Sequence, residues 1–221
     1  MRTLSIETAT HGRVLVEETA TAPAAGLLVV FHGYGQTADD ALTEAAKIPG
    51  VSAWTVASVQ ALHRFYSRND ERVIASWMTR QDRNDAIGDN VAYVDRVVSA
   101  LRSSGALIFV GFSQGAAMAY RAAVLGGHRA AGIVALGGDI SPELKTGAEA
   151  GVWPPVLIGA GETDTWFTAA KVGEDAAFLA ARGARHDVVR FRGGHEWTDE
   201  FRDVAGRWLQ RVIQAAAASS T

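Results

Sequence analysis

The chain has 221 residues, 48% of them hydrophobic and 20% charged, with a formal net charge of −3 and no cysteine. That length and apolar content are enough for a large core in one α/β domain spanning 1–221. The slight negative charge, with no run of Lys or Arg, argues against nucleic acid as a partner. The absence of cysteine rules out disulfides, thiolate metal sites and a cysteine nucleophile.

The opening residues Met1–Glu7 lack the apolar stretch of a signal peptide, and no apolar run approaches the ~20 residues that cross a bilayer. A chain without cysteine also suits a reducing compartment, so the expectation is a cytoplasmic protein with no membrane span. Thr3–Thr8 and Arg13–Glu18 alternate around His11-Gly12 and predict an antiparallel hairpin at a sheet edge. Leu27–Phe31 is a short apolar run that reads as a buried strand, and Trp54–Val59 reads as a second. The stretch Gln60–Arg83 carries no clear pattern; a loop this long in a compact domain is usually functional or disordered. Ile87, Val91, Val94, Val98 and Leu101 then fall on one helical face, with Asn84 or Asp85 available as the cap.

Strand Leu107–Val110 runs into the pentapeptide Gly111-Phe112-Ser113-Gln114-Gly115 and the small-residue helix Ala116–Val124. Gly132–Leu136 is a further strand, followed by Gly137–Pro155, which again resists assignment. The last strands are Val156–Ile158 and Asp187–Phe191, and Phe201, Val204, Trp208 and Val212 mark the apolar stripe of a closing helix. Ala215–Thr221 is a low-complexity tail expected to fray. Short strands alternating with helices predict a largely parallel twisted sheet with helices on both faces and the antiparallel hairpin at its N-terminal edge. Trp54, Trp153 and Trp208 are expected in the core.

The G-x-S-x-G pentapeptide between strand and helix reads as a nucleophile elbow, in which Ser113 sits on a strained turn with no side chains crowding it from Gly111 and Gly115. A serine hydroxyl attacks poorly at neutral pH and needs a histidine base oriented by a carboxylate. Both are available downstream, just beyond predicted strands. Glu162 and Asp164 follow strand Val156–Ile158, and His195 follows strand Asp187–Phe191. His186 precedes its strand and is expected at the opposite end of the sheet. The order Ser, acid, His is that of α/β-hydrolases. The turn His32-Gly33-Tyr34-Gly35 ends the first parallel strand. Its Tyr34 amide and the Gln114 amide are the expected donors of an oxyanion hole. His32 reads as a buried residue that holds the turn rather than a base. His195-Glu196 has no further ligand at zinc-binding spacing, so no metal and no cofactor are expected.

With these motifs together, the chain resembles the α/β-hydrolase superfamily and, within it, the phospholipase/carboxylesterase family of small serine esterases and acyl-protein thioesterases. The resemblance runs over His32–Gln36, Ser76-Trp77, Gly111–Gly115, Gly137–Ile140, Gly161–Asp164 and Gly194–Glu196. It implies Ser113, Asp164 and His195 as the triad, with Asp164 preferred over Glu162. The family usually has Asp at the position of Gln36, and a Val-Val-Pro-like run where this chain has Thr165-Trp166-Phe167-Thr168. Trp166 and Phe167, with Trp77, Met78, Phe65 and Tyr66, are expected to line or cap an acyl pocket, so alanine at Trp77 or Trp166 is expected to change the preferred acyl length.

The reading at this stage is a hydrolase that cleaves small-molecule carboxylic esters through an acyl-serine, as a monomer or homodimer. Two alternatives use the same residues differently: acyl transfer or perhydrolysis, with another nucleophile replacing water, and a non-catalytic binding protein that has kept the fold.

Overall fold

A computed structural model describes residues 1–19, 24–101, 105–147 and 153–218. Its framework is a seven-stranded sheet. The strands are β1 (Arg13–Glu17), β2 (Gly26–Phe31), β3 (Thr55–Gln60), β6 (Ala106–Phe112), β7 (Gly132–Leu136), β8 (Val156–Gly161) and β9 (His186–Phe191), in the order β1-β3-β2-β6-β7-β8-β9. All neighbours are parallel except β1, which runs antiparallel to β3. Strands β2, β6, β7 and β8 read as unbroken apolar runs because both faces of the sheet are covered. On one face lie α2 (Arg83–Leu101), α3 (Gln114–Leu125), α4 (Pro142–Thr146) and α5 (Ala169–Ala181); on the other lie α1 (Ala38–Ala45) and α6 (Asp199–Ala218). Trp54, Trp153 and Trp208 are all buried.

The six expected parallel strands form, each within a few residues of its predicted span. The edge strand is antiparallel as expected, but the predicted hairpin is not its source. Thr3–Thr8 forms no strand, and β1 instead pairs with β3, in register from Arg13 opposite Gln60 to Glu17 opposite Val56. Gly12 does not turn the chain back. It lets the backbone lie against the ring of Tyr93, whose hydroxyl donates to the Arg13 carbonyl at 2.9 Å, and a Cβ there would collide with that ring. Pairing with β3 satisfies a row of backbone groups on a buried strand. The predicted partner offers only Leu4 and Ile6, which remain 60% and 75% exposed.

The unpatterned stretch after β3 holds a second, two-stranded sheet, β4 (His63–Tyr66) against β5 (Val73–Ser76). Four residues per strand, three of the eight exposed and only two buried, leave little periodicity to read. Two further helices lie outside the expected elements: α1, which has a capping box in which Thr37 and Asp40 bond each other's backbone and a short buried stripe of Ala38, Ala41 and Ala45, and α5, which is rich in small residues. α4 occupies part of the stretch after β7, whose residues 148–152 lie outside the described residues, as do 219–221 of the tail. Among the described residues no helix is long and apolar enough to cross a membrane, and no cluster of metal-ligating side chains occurs.

The chain order decides where a site can form. From β2 it steps to β3 on one side, then returns past β2 to β6 on the other. In open α/β sheets such a switch point leaves a crevice at the C-terminal ends of the strands.

Candidate active site

Ser113 follows β6 with φ 56° and ψ −119°, a strained conformation for a residue with a side chain. Close packing enforces it. A Cβ on Gly111 would collide with the Gly115 carbonyl, one on Gly115 with the Phe31 carbonyl, and one on Gly138 with the Ser113 carbonyl. The Ser113 amide donates to Leu136 O at 2.8 Å, fixing the elbow to β7.

Two loops meet this serine. His195 Nε2 lies 2.8 Å from Ser113 Oγ, and His195 Nδ1 lies 2.7 Å from Asp164 Oδ2. The second carboxylate oxygen accepts the amides of Trp166 (2.7 Å) and Phe167 (2.9 Å). Burial acts to raise the Asp164 pKa, but the bonds from His195 and these amides outweigh it and hold the carboxyl below its ordinary range. An ionised Asp164 accepts from Nδ1–H, which leaves the Nε2 lone pair facing the serine hydroxyl. The acid and histidine loops are tied directly. Glu162 N donates to Phe191 O at 2.9 Å, and Thr163 donates to Gly193 O through both its amide (3.0 Å) and its hydroxyl (2.8 Å). Glu162 itself is exposed, and His186 pairs with Val156 at the far end of the strands, so neither competes for the site.

The turn after β2 supplies further donors. Gly33 N is taken by Gln36 Oε1 (2.7 Å), Gly35 N by Ala75 O (3.0 Å) and Gln36 N by Gly33 O (3.2 Å). The Tyr34 amide has no such acceptor among the described residues. Gln36 therefore closes the turn through its own side chain. The Gln114 amide opens α3, where no earlier carbonyl of the helix can reach it. His32 lies beneath the turn, buried. Its Nε2 accepts from Ala61 N (3.1 Å) and its Nδ1 donates to Gly33 O (2.7 Å). Burial lowers its pKa against the pull of that carbonyl and of Asp40. It is a neutral brace for the turn.

A cleft of about 490 Å³ adjoins this turn, lined by Tyr34, His63, Phe65, Ser76, Met78, Thr79 and Arg80. Of the expected pocket residues, Met78 and Phe65 line it. Trp77 does not. Its side chain is 0% exposed, donates Nε1–H to His32 O at 2.8 Å and packs on Phe31 and His32. Phe167, at 1% exposure, is likewise core. Both are large apolar rings on short loops, and the fold uses them to anchor those loops. Trp166 is 74% exposed beside Asp164, and Tyr66 is exposed on the hairpin. The sequence reading missed the Gln114 side chain and Ser76, which bond each other and the backbone of Trp77 and Met78; Ser76 figured there only in a motif match.

A parallel sheet covered by helices on both faces, with strained serine, histidine and carboxylate at the carboxyl ends of its strands, defines an α/β-hydrolase. The phospholipase/carboxylesterase family profile matches residues 13–210, and the chain belongs to that family of hydrolases. Three solved structures illustrate the shared fold. Esterase PE8 is 22% identical, with a TM-score of 0.75 over 92% of this chain and 100% of its own. Acyl-protein thioesterase 2 of Zea mays is 19% identical, with a TM-score of 0.75 and the same coverage. The Bacillus cereus carboxylesterase is 18% identical, with a TM-score of 0.72 over 91% of this chain and 94% of its own. A search of curated proteins finds no sequence match.

Proposed function

We propose that the protein hydrolyses carboxylic esters of small molecules through an acyl-serine intermediate, with Ser113 as nucleophile, His195 as general base and acid, and Asp164 as its orienting carboxylate. The observation that carries this reading is the unbroken chain from Ser113 Oγ through His195 to Asp164, drawn from three separate strand ends.

Ser113 Oγ attacks the ester carbonyl carbon as its proton passes to His195 Nε2. The carbonyl electron pair moves onto oxygen, where the amides of Tyr34 and Gln114 receive the negative charge. The intermediate collapses by breaking the bond to the alcohol oxygen, which takes the proton from His195. Water then enters, gives a proton to His195 and attacks the acyl carbon; the acid leaves and Ser113 regains its proton. Thioesters are within reach of the same steps. No cofactor enters the cycle. Met78, in the wall of the cleft, and Trp166, at its exposed position beside Asp164, are the proposed substrate contacts.

Intact-mass analysis after treatment with a fluorophosphonate tests the assignment. Wild type is expected to gain one phosphonyl adduct on Ser113, while Ser113→Ala and His195→Ala stay unlabelled. A folded wild type that takes no label overturns the reading.

A further inference from the structure

The two proposed oxyanion amides lie on turns after different strands, β2 and β6, yet they must converge on one oxygen. A single short segment, Ala75–Met78, bonds to both turns. Towards Tyr34, Ala75 pairs as a β-bridge with Gln36: Gly35 N donates to Ala75 O at 3.0 Å and Ala75 N to Gln36 O at 3.1 Å. Towards the elbow, Trp77 N donates to Gln114 Oε1 at 2.8 Å, and Gln114 Nε2 donates to Ser76 Oγ at 3.1 Å. The Ser76 hydroxyl in turn donates to Met78 O at 2.6 Å and accepts from Met78 N at 3.2 Å. Below, the Trp77 indole reaches His32 O, and Asn90 of α2, fully buried, donates to Trp77 O at 3.3 Å.

We infer that Ala75–Met78, joined to the Gln114 side chain, is a clamp that fixes the spacing of the Tyr34 and Gln114 amides, so that Ser76 and the Gln114 carboxamide are positioning residues for the transition state. The inference rests on the ester-hydrolase reading above. Its physical basis is that charge on the carbonyl oxygen becomes full only in the tetrahedral intermediate. Donors are effective there at 2.7–3.1 Å, and a shift of about half an ångström forfeits much of that stabilisation. Ser76 is buried and Gln114 partly so, and a lost partner shifts the segment or leaves the other group short of a hydrogen bond. Among the described residues no hydrogen bond runs from the clamp to Asp164 or His195. The effect therefore falls on kcat and leaves the acid limb of the pH profile in place. Ser76 and Met78 of the clamp also form part of the cleft wall.

The test compares full-length wild type with Ser76→Ala and Gln114→Met, using 4-nitrophenyl acetate for turnover and an alkyl trifluoromethyl ketone as a tetrahedral mimic. Both variants are expected to lose about 10- to 100-fold in kcat, less than the 10²–10³ typical of deleting a donor outright. KM and the pH midpoint are expected to stay put, and the ketone inhibition constant to rise by the same factor as kcat falls. Values of kcat within twofold of wild type overturn the clamp, whatever happens to the melting temperature. A fall in kcat with unchanged ketone binding overturns it equally. Should Gln114→Met fail to fold, Ser76→Ala decides alone. It removes the hydroxyl that Gln114 Nε2 and Met78 N bond, keeps the Gln114 acceptor for Trp77 N, and the same criteria apply. A wild type that neither turns over an ester nor takes a fluorophosphonate removes the hydrolase reading and the clamp with it. An active wild type with unaffected variants removes the clamp alone.

Discussion

Ser113 stores strain that the fold maintains and its own stability does not require. A residue held at positive φ costs about 1–3 kcal/mol, and glycine relieves most of it. Ser113→Gly is therefore expected to unfold at a urea midpoint equal to or above that of wild type, by up to about 1 kcal/mol, while Ser113→Ala keeps the Cβ and gains nothing. Both lose fluorophosphonate labelling. Asp164→Asn is expected to preserve the geometry and lower kcat about 10³- to 10⁴-fold, because an amide can donate to Nδ1 and stabilise the wrong tautomer. Trp77 makes the opposite point. Its ring is enclosed by Phe31 and His32. Trp77→Ala should thus cost about 3–5 kcal/mol of stability, read from denaturant curves, instead of shifting acyl-length preference.

At the level of elements, α4 is held by ion pairs whose other members come from three helices. Glu143 binds Arg83 at the start of α2 (2.6 Å) and Arg121 of α3 (2.7 Å), and Lys145 binds Asp175 of α5 (2.7 Å). Asp175, wholly buried, also accepts the Ile140 amide at 2.9 Å, so the loop after β7 that packs against Ser113 and His195 is secured at its far end. Burial acts to raise the Glu143 pKa, but its bonds to the two arginines prevail and depress it. The unfolded chain then binds that proton more readily than the folded one. The stability gained is present above the unfolded carboxylate range and is lost as pH falls through the folded pKa. Glu143→Gln should cost about 2 kcal/mol at pH 7. That is below the 3–5 kcal/mol of fully buried pairs, because Glu143 is 26% exposed, although Arg121 is left nearly uncompensated. The gap in urea midpoint between variant and wild type is expected to close towards pH 3, and a gap independent of pH would show that the ion pair is not its source.

Across the whole molecule, one sheet edge gathers the chemistry. The turns after β2, β6, β8 and β9 all open at the carboxyl end of the parallel strands, and the switch from β3 back across β2 to β6 leaves the crevice there. The same crossing carries the β4–β5 hairpin over that crevice. In the proposed cycle His195 must be neutral to accept the serine proton, while the bonds from His195 and two amides hold the Asp164 carboxyl below its ordinary range. Ester hydrolysis is expected to fall as pH is lowered from 8 to 5, and a flat profile over that range would contradict the base assignment.

What the sequence determined by itself is local or carried by spacing. Apolar runs of strand length, the glycines about Ser113 and the Ser-Asp-His order made the parallel sheet, the elbow and the expected triad legible, since each depends on neighbours in the chain or on a fixed place after a strand. Composition also placed Trp54, Trp153 and Trp208 inside. Tertiary structure alone decided the rest. β1 finds its partner in β3, some forty residues on, because a buried edge with unpaired backbone groups outcompetes a hairpin built on Leu4 and Ile6. Trp77 and Phe167 look like pocket residues in a list of exposed loops, yet burying an aromatic ring outweighs leaving it in water, and the fold had room for both beneath their loops. The bonds from Gln114 to residues 76–78 span 36 to 38 positions in sequence. No periodicity encodes such a contact, which exists only once two turns from neighbouring strands are brought to the same edge.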